Sequence, residues 1–290
     1  MLTENNHYKN LWDGKESFSL ERKNYKVSFG KAQNFLSFRE SVTKTAFNII
    51  KTYDKVNLFL SGGFDSNAMF LGFILSEQKH NIKVKIIQFN KNINLFDYKI
   101  ALALCKIYNV EYEIIYIDIE KFLSTYHVFY ASKLLCNDPQ VTLFFMLLNS
   151  FKYKNTINVF GLGDFHFKHD KRRNKFFLYE FEYTGRFNIS LNNYIPFYRY
   201  DPVIIKSWLL DPIILDFVNG ASFTDNWNSY KHCFYLKHFP ELSYRKKYNG
   251  FEPIQNLLDF TIRYSNSAKV FDKLNINNKY FWSDYVEMVS

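Results

Sequence analysis

Apolar positions along the chain fall into two kinds of run that alternate with each other. From Ser37 to Tyr53, Val42, Ala46, Ile49 and Ile50 recur at helical spacing, and Ser37 or Ser41 is placed to cap the start. VNLFL (56–60) then has the length and composition of a buried strand, and it passes at once into SGGFDS and the apolar helix NAMFLGFIL. IKVKIIQF (82–89) alternates in its first half and predicts a second strand. Helical periodicity returns from Phe96 to Tyr108, and EYEIIYIDI (111–119) predicts a third strand. Asp138-Pro139 opens a further apolar helix running to about Tyr153, with Pro139 in its first turn. TINVF (156–160) predicts a fourth strand, and this one ends in GLGD.

Strands that alternate with helices in this way predict an α/β fold: a parallel, Rossmann-like sheet flanked by helices. In such sheets ligands bind where the carboxyl ends of strands turn into helices. Three regions are expected. Residues 1–36 form a polar N-terminal extension with one strand-like run, NYKVSFG. Residues 37–165 form the α/β domain, and residues 166–290 a mainly helical C-terminal substrate or lid region, which opens on the basic stretch KHDKRRNK (168–175). No internal repeat and no long Gly/Ser/Pro linker is visible.

Composition sharpens the picture at one point. The 290 residues include only 10 glycines, about half the usual frequency of roughly 7%. Glycines that sit close together are therefore expected where the backbone requires them. Gly62-Gly63 and Gly161/Gly163 both fall at expected strand ends. Net charge is +9, which admits a polyanionic partner such as tRNA. Of the 37 basic residues 29 are Lys, alongside much Asn, Ile, Phe and Tyr, so codon bias in an A/T-rich genome accounts for the excess equally well. Cys105, Cys136 and Cys233 are odd in number and lack a C-x-x-C, which argues against a disulfide framework and a four-thiolate zinc site. No apolar signal segment opens the chain, and the longest apolar stretch, around Val141 to Leu148, has core-helix length. The expectation is a cytoplasmic protein with no membrane contact.

The chemistry concentrates in Leu60-Ser61-Gly62-Gly63-Phe64-Asp65-Ser66. Two glycines after a buried strand let the backbone turn sharply and approach a ligand. The helix beginning near Asp65 adds main-chain N–H groups and the positive end of its dipole. Ser61 and Ser66 supply hydroxyls, and Asp65 is placed to cap the helix or to hold a divalent cation. Together these predict a phosphate-sized anion nest. No G-K-[ST], G-x-G-x-x-G or G-x-S-x-G is present, which disfavours a P-loop NTPase, kinase, classical dehydrogenase or α/β-hydrolase.

S-G-G-F-D-S after a hydrophobic strand resembles the S-G-G-x-D-S PP-loop of the ATP pyrophosphatase superfamily, which has the adenine-nucleotide α-hydrolase sheet. Its members include the synthetase domain of asparagine synthetase, β-lactam synthetase, GMP synthetase and lysidine-forming or thiolating tRNA enzymes. TINVFGLGD further resembles the asparagine synthetase segment in which a strand leads into G-E-G-x-D-E. Gly161 and Gly163 match its glycines, Leu162 replaces its first acid, and Asp164 falls one position early for its acidic pair. The resemblance covers about 37–165 and includes no glutaminase half, since about 55 residues precede the first core strand and position 2 is Leu.

The resemblance implies ATP and Mg²⁺ as cofactors. Leu60, Ser61, Gly62, Gly63, Asp65, Ser66, Gly161 and Gly163 would hold the nucleotide, and Asp65 and Asp164 would act as catalytic magnesium contacts. Gln88 and Phe89, at the second strand's end, lie where relatives hold the adenine, although Phe89 is equally suited to ordinary core packing. Asp118 is expected to cap the following helix or to face the crevice. A cation that neutralises charge built up on phosphate is expected from Lys168, Lys171, Arg172 and Arg173, or from Arg245, Lys246 and Lys247. Lys246 and Lys247, ringed by Tyr244, Tyr248, Gly250 and Phe251, are the catalytic candidates. His166, His169, His232, Cys233 and His238 raise a zinc reading, which needs convergence that sequence alone does not supply.

Three functions follow. The first is an adenylating ligase that activates a carboxylate (or an amide or carbonyl oxygen) as an AMP ester and forms a C–N bond, with nitrogen from ammonia, an amine substrate or a separate donor protein. The second is a tRNA- or nucleobase-modifying enzyme, and the third a nucleotide-binding module without turnover.

Overall fold

The computed structural model describes residues 9–11, 26–28, 36–76, 81–134, 139–151, 155–162, 166–170, 175–179, 193–220, 227–242 and 279–281. Two short strands, β1 (Lys9–Leu11) and β2 (Lys26–Ser28), pair antiparallel within the N-terminal extension. Helix α1 (Phe38–Thr52) begins at Ser37, whose hydroxyl accepts from the Glu40 N–H while the Glu40 carboxylate accepts from the Ser37 N–H. That reciprocal capping box selects Ser37 over Ser41, which is buried one turn further in.

The central sheet has five parallel strands: β3 (Lys55–Phe59), β4 (Ile82–Phe89), β5 (Tyr112–Ile117), β6 (Thr156–Phe160) and β9 (Tyr194–Pro196). Their spatial order is β5-β4-β3-β6-β9. The four strands expected from sequence are all present, and β4 and β6 keep the expected limits. The fifth comes from Tyr194–Pro196, so the sheet extends past the 37–165 span. Helices α2 (Phe64–Leu75), α3 (Leu95–Ile107) and α6 (Pro139–Ser150) connect the first four strands. Between β5 and α6, Asp118 caps the short α4 (Ile119–Lys121), and α5 (His127–Leu134) follows.

Alternation along each strand divides the core in two. Val56, Leu58, Ile82, Val84, Ile86, Ile157, Val159 and Ile195 pack with α1, α2 and α3 on one face. Phe59, Phe89, Phe160 and Tyr194 pack with α6 and the 119–123 segment on the other. Both faces are covered, as a parallel sheet requires. A buried amide network crosses the sheet centre: Asn57 Nδ2 donates to Asn158 Oδ1 (2.9 Å), and Asn158 Nδ2 donates to the carbonyls of Asn193 (3.1 Å) and Phe151 (3.2 Å). It ties β3, β6 and the entry to β9 in one register.

The C-terminal half carries helices α7 (Phe197–Tyr200), α8 (Pro202–Leu209), α9 (Pro212–Gly220) and α10 (Trp227–His238), whose residues join the α1/α2 side of the core. It also carries an antiparallel sheet that the periodicity did not announce, made of β7 (His166–Asp170), β8 (Lys175–Tyr179) and β10 (Lys279–Phe281). Of the basic stretch 168–175, Lys168–Asp170 lie on β7 and Lys175 opens β8. Among the described residues no helix is long and apolar enough to cross a membrane.

One buried titratable group predicts acid sensitivity. His127 is 5% exposed, its Nδ1 lies 2.8 Å from Thr142 Oγ1, and burial lowers its pKa to about 4. The folded state therefore holds the neutral ring. The stabilisation is complete above the unfolded value of about 6.5 and is lost as pH falls from there toward 4, a loss of about 3 kcal/mol by pH 4 at 1.4 kcal/mol per pKa unit. Urea midpoints measured from pH 7 to pH 4 are expected to fall more steeply for the wild type than for His127→Gln. Identical slopes would remove His127 as the cause.

Candidate functional site

β3 and β6 are adjacent in the sheet, with Phe59 opposite Phe160, and the chain continues from β3 to one edge and from β6 to the other. Their carboxyl ends therefore flank the topological switch point, where open α/β sheets bind ligands. The two glycine-bearing loops leave the sheet here.

After β3, the Leu60 N–H donates to the Lys85 carbonyl (3.0 Å), which extends pairing by one residue before the turn. Gly62 has φ +82°, and a Cβ there would overlap the carbonyl oxygen of Asp97 in the first turn of α3. Only glycine satisfies both the left-handed conformation and that approach. Asn67, 1% exposed, holds the turn from beneath by donating through Nδ2 to the Gly62 carbonyl (3.1 Å). Ser66 Oγ donates to the Gly63 carbonyl (3.1 Å), accepts from the Ser61 N–H (3.3 Å) and lies 2.9 Å from Ser61 Oγ. Ser61 Oγ in turn accepts from the Gly63 N–H (3.4 Å). Gly63 is the N-cap of α2 and provides no side-chain cap.

The second loop meets the first. A Cβ on Gly161 would lie 2.7 Å from Ser66 Cα and 2.8 Å from Ser66 N, so only glycine lets the β6 end rest against the first turn of α2. Tyr198 clips the two together: its N–H donates to the Leu162 carbonyl (3.1 Å), and its hydroxyl donates to the Asp65 carbonyl (2.6 Å). Residues 95 positions apart in sequence, Ser66 and Gly161, thus share one small volume.

Asp65 has unexpected partners. Lys231 Nζ on α10 lies 2.9 Å from Oδ2 and 2.8 Å from Oδ1, and the Tyr235 hydroxyl donates to Oδ1 (2.6 Å). The side chains of Lys231 and Asp65 are 7% and 16% exposed. Phe64, the residue before Asp65, packs its ring against His232 (4.6 Å) and Tyr235 (6.2 Å), which seats α10 over the loop. The acid in the first turn of α2 is thus neutralised by a lysine, and the positive end of the helix dipole is not offset by a net negative charge.

Both oxygens of Asp65 are engaged by protein donors, and a magnesium ion on this carboxylate does not fit the donor set unless Lys231 moves away. Asp164, the other expected magnesium contact, lies outside the described residues, as do Gly163, Lys246 and Lys247. So do Lys171, Arg172, Arg173, Arg245 and Cys136, whereas Lys168 lies on β7.

Gln88 is half-buried near the end of β4. Phe89 is 4% exposed and sits in the α6-side core, with its N–H held by Asn94 Oδ1 (2.9 Å). Of its two expected roles the structure places it in core packing. Asp118 accepts from the Lys121 N–H (3.1 Å), which is the capping role.

Among the described residues no group of three or more His, Cys, Asp or Glu is placed to hold a metal ion. His238 instead pairs with Asp211 (2.7 Å), which also receives Lys237 (3.0 Å) and the Ile213 N–H (2.9 Å). Burial opposes the Asp211 charge, but these hydrogen bonds outweigh it and hold the carboxyl below its usual range. Cys105 is 1% exposed and burial pushes its thiol up to about 12, so it supplies no thiolate at neutral pH.

Sequence reasoning missed Lys231, Tyr235, Tyr198 and Asn67. The signal for the first two was present: Lys231 and Tyr235 stand four apart, on one face of a helix. Nothing local pointed that face at Asp65.

No family model matches the chain, and no curated protein matches it. Among solved structures it is similar to an NH3-dependent NAD synthetase from Campylobacter jejuni, solved in complex with a nitrate ion, at 20% identity and TM-score 0.28, over 42% of this chain and 54% of that one. It is also similar to a glutamine-dependent NAD+ synthetase from Acinetobacter baumannii in complex with ADP, at 18% identity and TM-score 0.32, over 47% of this chain and 27% of that one. The chain thus spans about half of the first enzyme and about a quarter of the second.

Proposed function

We propose that the chain is an ATP-dependent, AMP-forming ligase of the PP-loop type. The observation that carries this reading is the convergence of Ser61–Ser66 with Gly161 at the carboxyl ends of two adjacent central strands. Main-chain N–H groups, two serine hydroxyls and the start of α2 form a cradle of phosphate size there. The resemblance of S-G-G-F-D-S to the PP-loop motif supports reading that phosphate as the pyrophosphate end of ATP.

In the reaction a substrate carboxylate oxygen attacks the α-phosphorus. The bond from that phosphorus to the bridging oxygen breaks, and pyrophosphate leaves with the electron pair. An amine or ammonia then attacks the acyl carbon, the C–O bond to AMP breaks, and the nitrogen gives up a proton. The cradle's part is to hold the pyrophosphate in line and to stabilise its charge as it departs. The acceptor belongs to the class of small carboxylates, as the asparagine-synthetase-like pattern implies.

ATP–pyrophosphate exchange over a pool of amino and keto acids tests the reading. Label is expected to enter ATP with at least one carboxylate before any nitrogen donor is added. Absence of exchange across the pool, together with absence of ATP binding, would contradict it.

A further inference from the structure

We propose that two copies of this chain join through the outer edge of β5, antiparallel about Ile114, so that two five-stranded sheets become one. The inference is independent of the nucleotide reading. Three observations carry it: the direction of the main chain, the side chains beside it and the local charge.

First, β5 is the end strand of its sheet and pairs with β4 alone among the described residues. The Val84 N–H donates to the Glu111 carbonyl (2.9 Å), which fixes the phase of the ladder. Glu113, Ile115 and Ile117 therefore turn their main-chain groups to β4, whereas Tyr112, Ile114 and Tyr116 turn theirs outward. Edges that stay unpaired are usually broken by Pro, Gly or Lys. EYEIIYI (111–117) contains none of them.

Second, the edge matches itself. With Ile114 opposite its own copy, Tyr112 faces the partner's Tyr116, and all three outward residues enter hydrogen-bonded pairs, about six bonds in all. Tyr112, Ile114 and Tyr116 are in register with Val84, Ile86 and Gln88 and so share one face of the sheet. Across the joint they form a single aromatic and aliphatic row. Tyr116 is 72% exposed and Tyr112 36%, and the joint covers this surface. On the other face Glu113 falls opposite the partner's Ile115 and keeps its ion pair with Lys85 of its own chain (2.6 Å). A register centred on Glu113 would set two carboxylates opposite each other, and one centred on Ile115 would leave Tyr112 beyond the end of the partner strand.

Third, charge permits the approach. The chain carries +9, but residues 90–121, from the end of β4 through α3 and β5, hold four Lys against five Asp and Glu. Ile107 on α3 and Val128 on α5, the helices before and after β5 in the chain, are exposed as well. A second copy thus meets a nearly neutral edge, free of the repulsion that the rest of the chain would bring. β3, which carries the first glycine loop, lies two strands in, roughly 10 Å from the joint at about 4.8 Å per strand. The joint leaves both glycine loops outside it.

Sedimentation of the full chain over micromolar concentrations tests the proposal, and a particle of twice 34.8 kDa is expected. Tyr116→Lys should weaken the dimer about tenfold or more, because each substitution counts twice across a two-fold axis. Ile114→Pro removes an outward N–H and none that β4 receives, so it should abolish the dimer while the sheet persists. Cross-linking fixes the register. With Cys136 and Cys233 changed to Ser, Ile114→Cys should form a disulfide-linked dimer on mild oxidation, since hydrogen-bonded partners stand about 5.5 Å apart at Cα. Tyr112→Cys should not, because its two copies stand about four residues apart along the strands, roughly 13 Å. A wild type that stays monomeric throughout, or a dimer as tight in Tyr116→Lys as in wild type, would overturn the proposal. So would cross-linking at position 112 as strong as at 114. None of these results bears on ATP–pyrophosphate exchange, so the nucleotide reading stands or falls separately.

Discussion

Asp65→Ala is expected to destabilise the protein by about 3–5 kcal/mol, the range for removing one partner of a buried ion pair. The reason is what stays behind. Lys231 is 7% exposed and would lose the carboxylate that both of its described Asp65 contacts reach, and the Tyr235 hydroxyl would lose the Asp65 Oδ1 acceptor at the same point. Urea unfolding followed by tryptophan fluorescence should show a lower midpoint with an unchanged slope. Adding Lys231→Met to Asp65→Ala should recover part of the loss, because the ammonium no longer has to be buried without the Asp65 carboxylate. A single variant within about 1 kcal/mol of wild type, or a double variant no better than the single, would show that the pair is not buried as described. Lost ligand binding in Asp65→Ala would therefore mix a loosened loop with any loss of direct contact.

Gly62→Ala is expected to cost about 3 kcal/mol or more, and Gly63→Ala less than about 0.5 kcal/mol, although the two are neighbours in one motif. At Gly62 the backbone is left-handed, and an added Cβ would overlap the Asp97 carbonyl oxygen and come within 2.8 Å of its carbon. Neither obstacle is a flexible side chain, so α3 must shift away from the loop. At Gly63 φ is −73°, and the nearest atom to a Cβ is Ser61 Oγ at 3.5 Å, an ordinary contact. Thermal unfolding of the two variants side by side decides it. Equal effects would mean that the motif's glycines serve the ligand alone and that the turn is not strained.

The chain's periodicity made strands β3 to β6 legible to within two residues, since α/β units leave local signatures. β4 and β6 appear at their expected limits because polar residues, and Gly161 after β6, bound each apolar run. The fifth strand escaped because YIP has three residues and no alternation to read. The sheet of β7, β8 and β10 escaped for a related reason, since β10 comes from about 100 residues beyond β8 and no local pattern declares such a partner. Two helix starts were legible in principle. Asp201-Pro202 and Asp211-Pro212 repeat the pattern seen at Asp138-Pro139, and Asp201 and Asp211 cap the N–H groups of Val203 and Ile213.

At the site, the scarcity of glycine located both loops, and the structure explains why: Gly62 and Gly161 each stand where a Cβ would strike main chain. Lys231 stayed hidden because its role depends on how α10 docks, which is long-range packing. Local reading favoured lysines in basic runs, whereas the lysine on Asp65 lies in a mixed aromatic helix, KHCFY, and is nearly buried.

The proposed function requires the two glycine loops to form one phosphate cradle. Amide hydrogen–deuterium exchange in the presence and absence of pyrophosphate tests it most directly. Protection is expected to appear together in residues 61–67 and 161–162, with the distant β5 edge unchanged. Protection confined to one loop, or found only elsewhere in the chain, would contradict the claim.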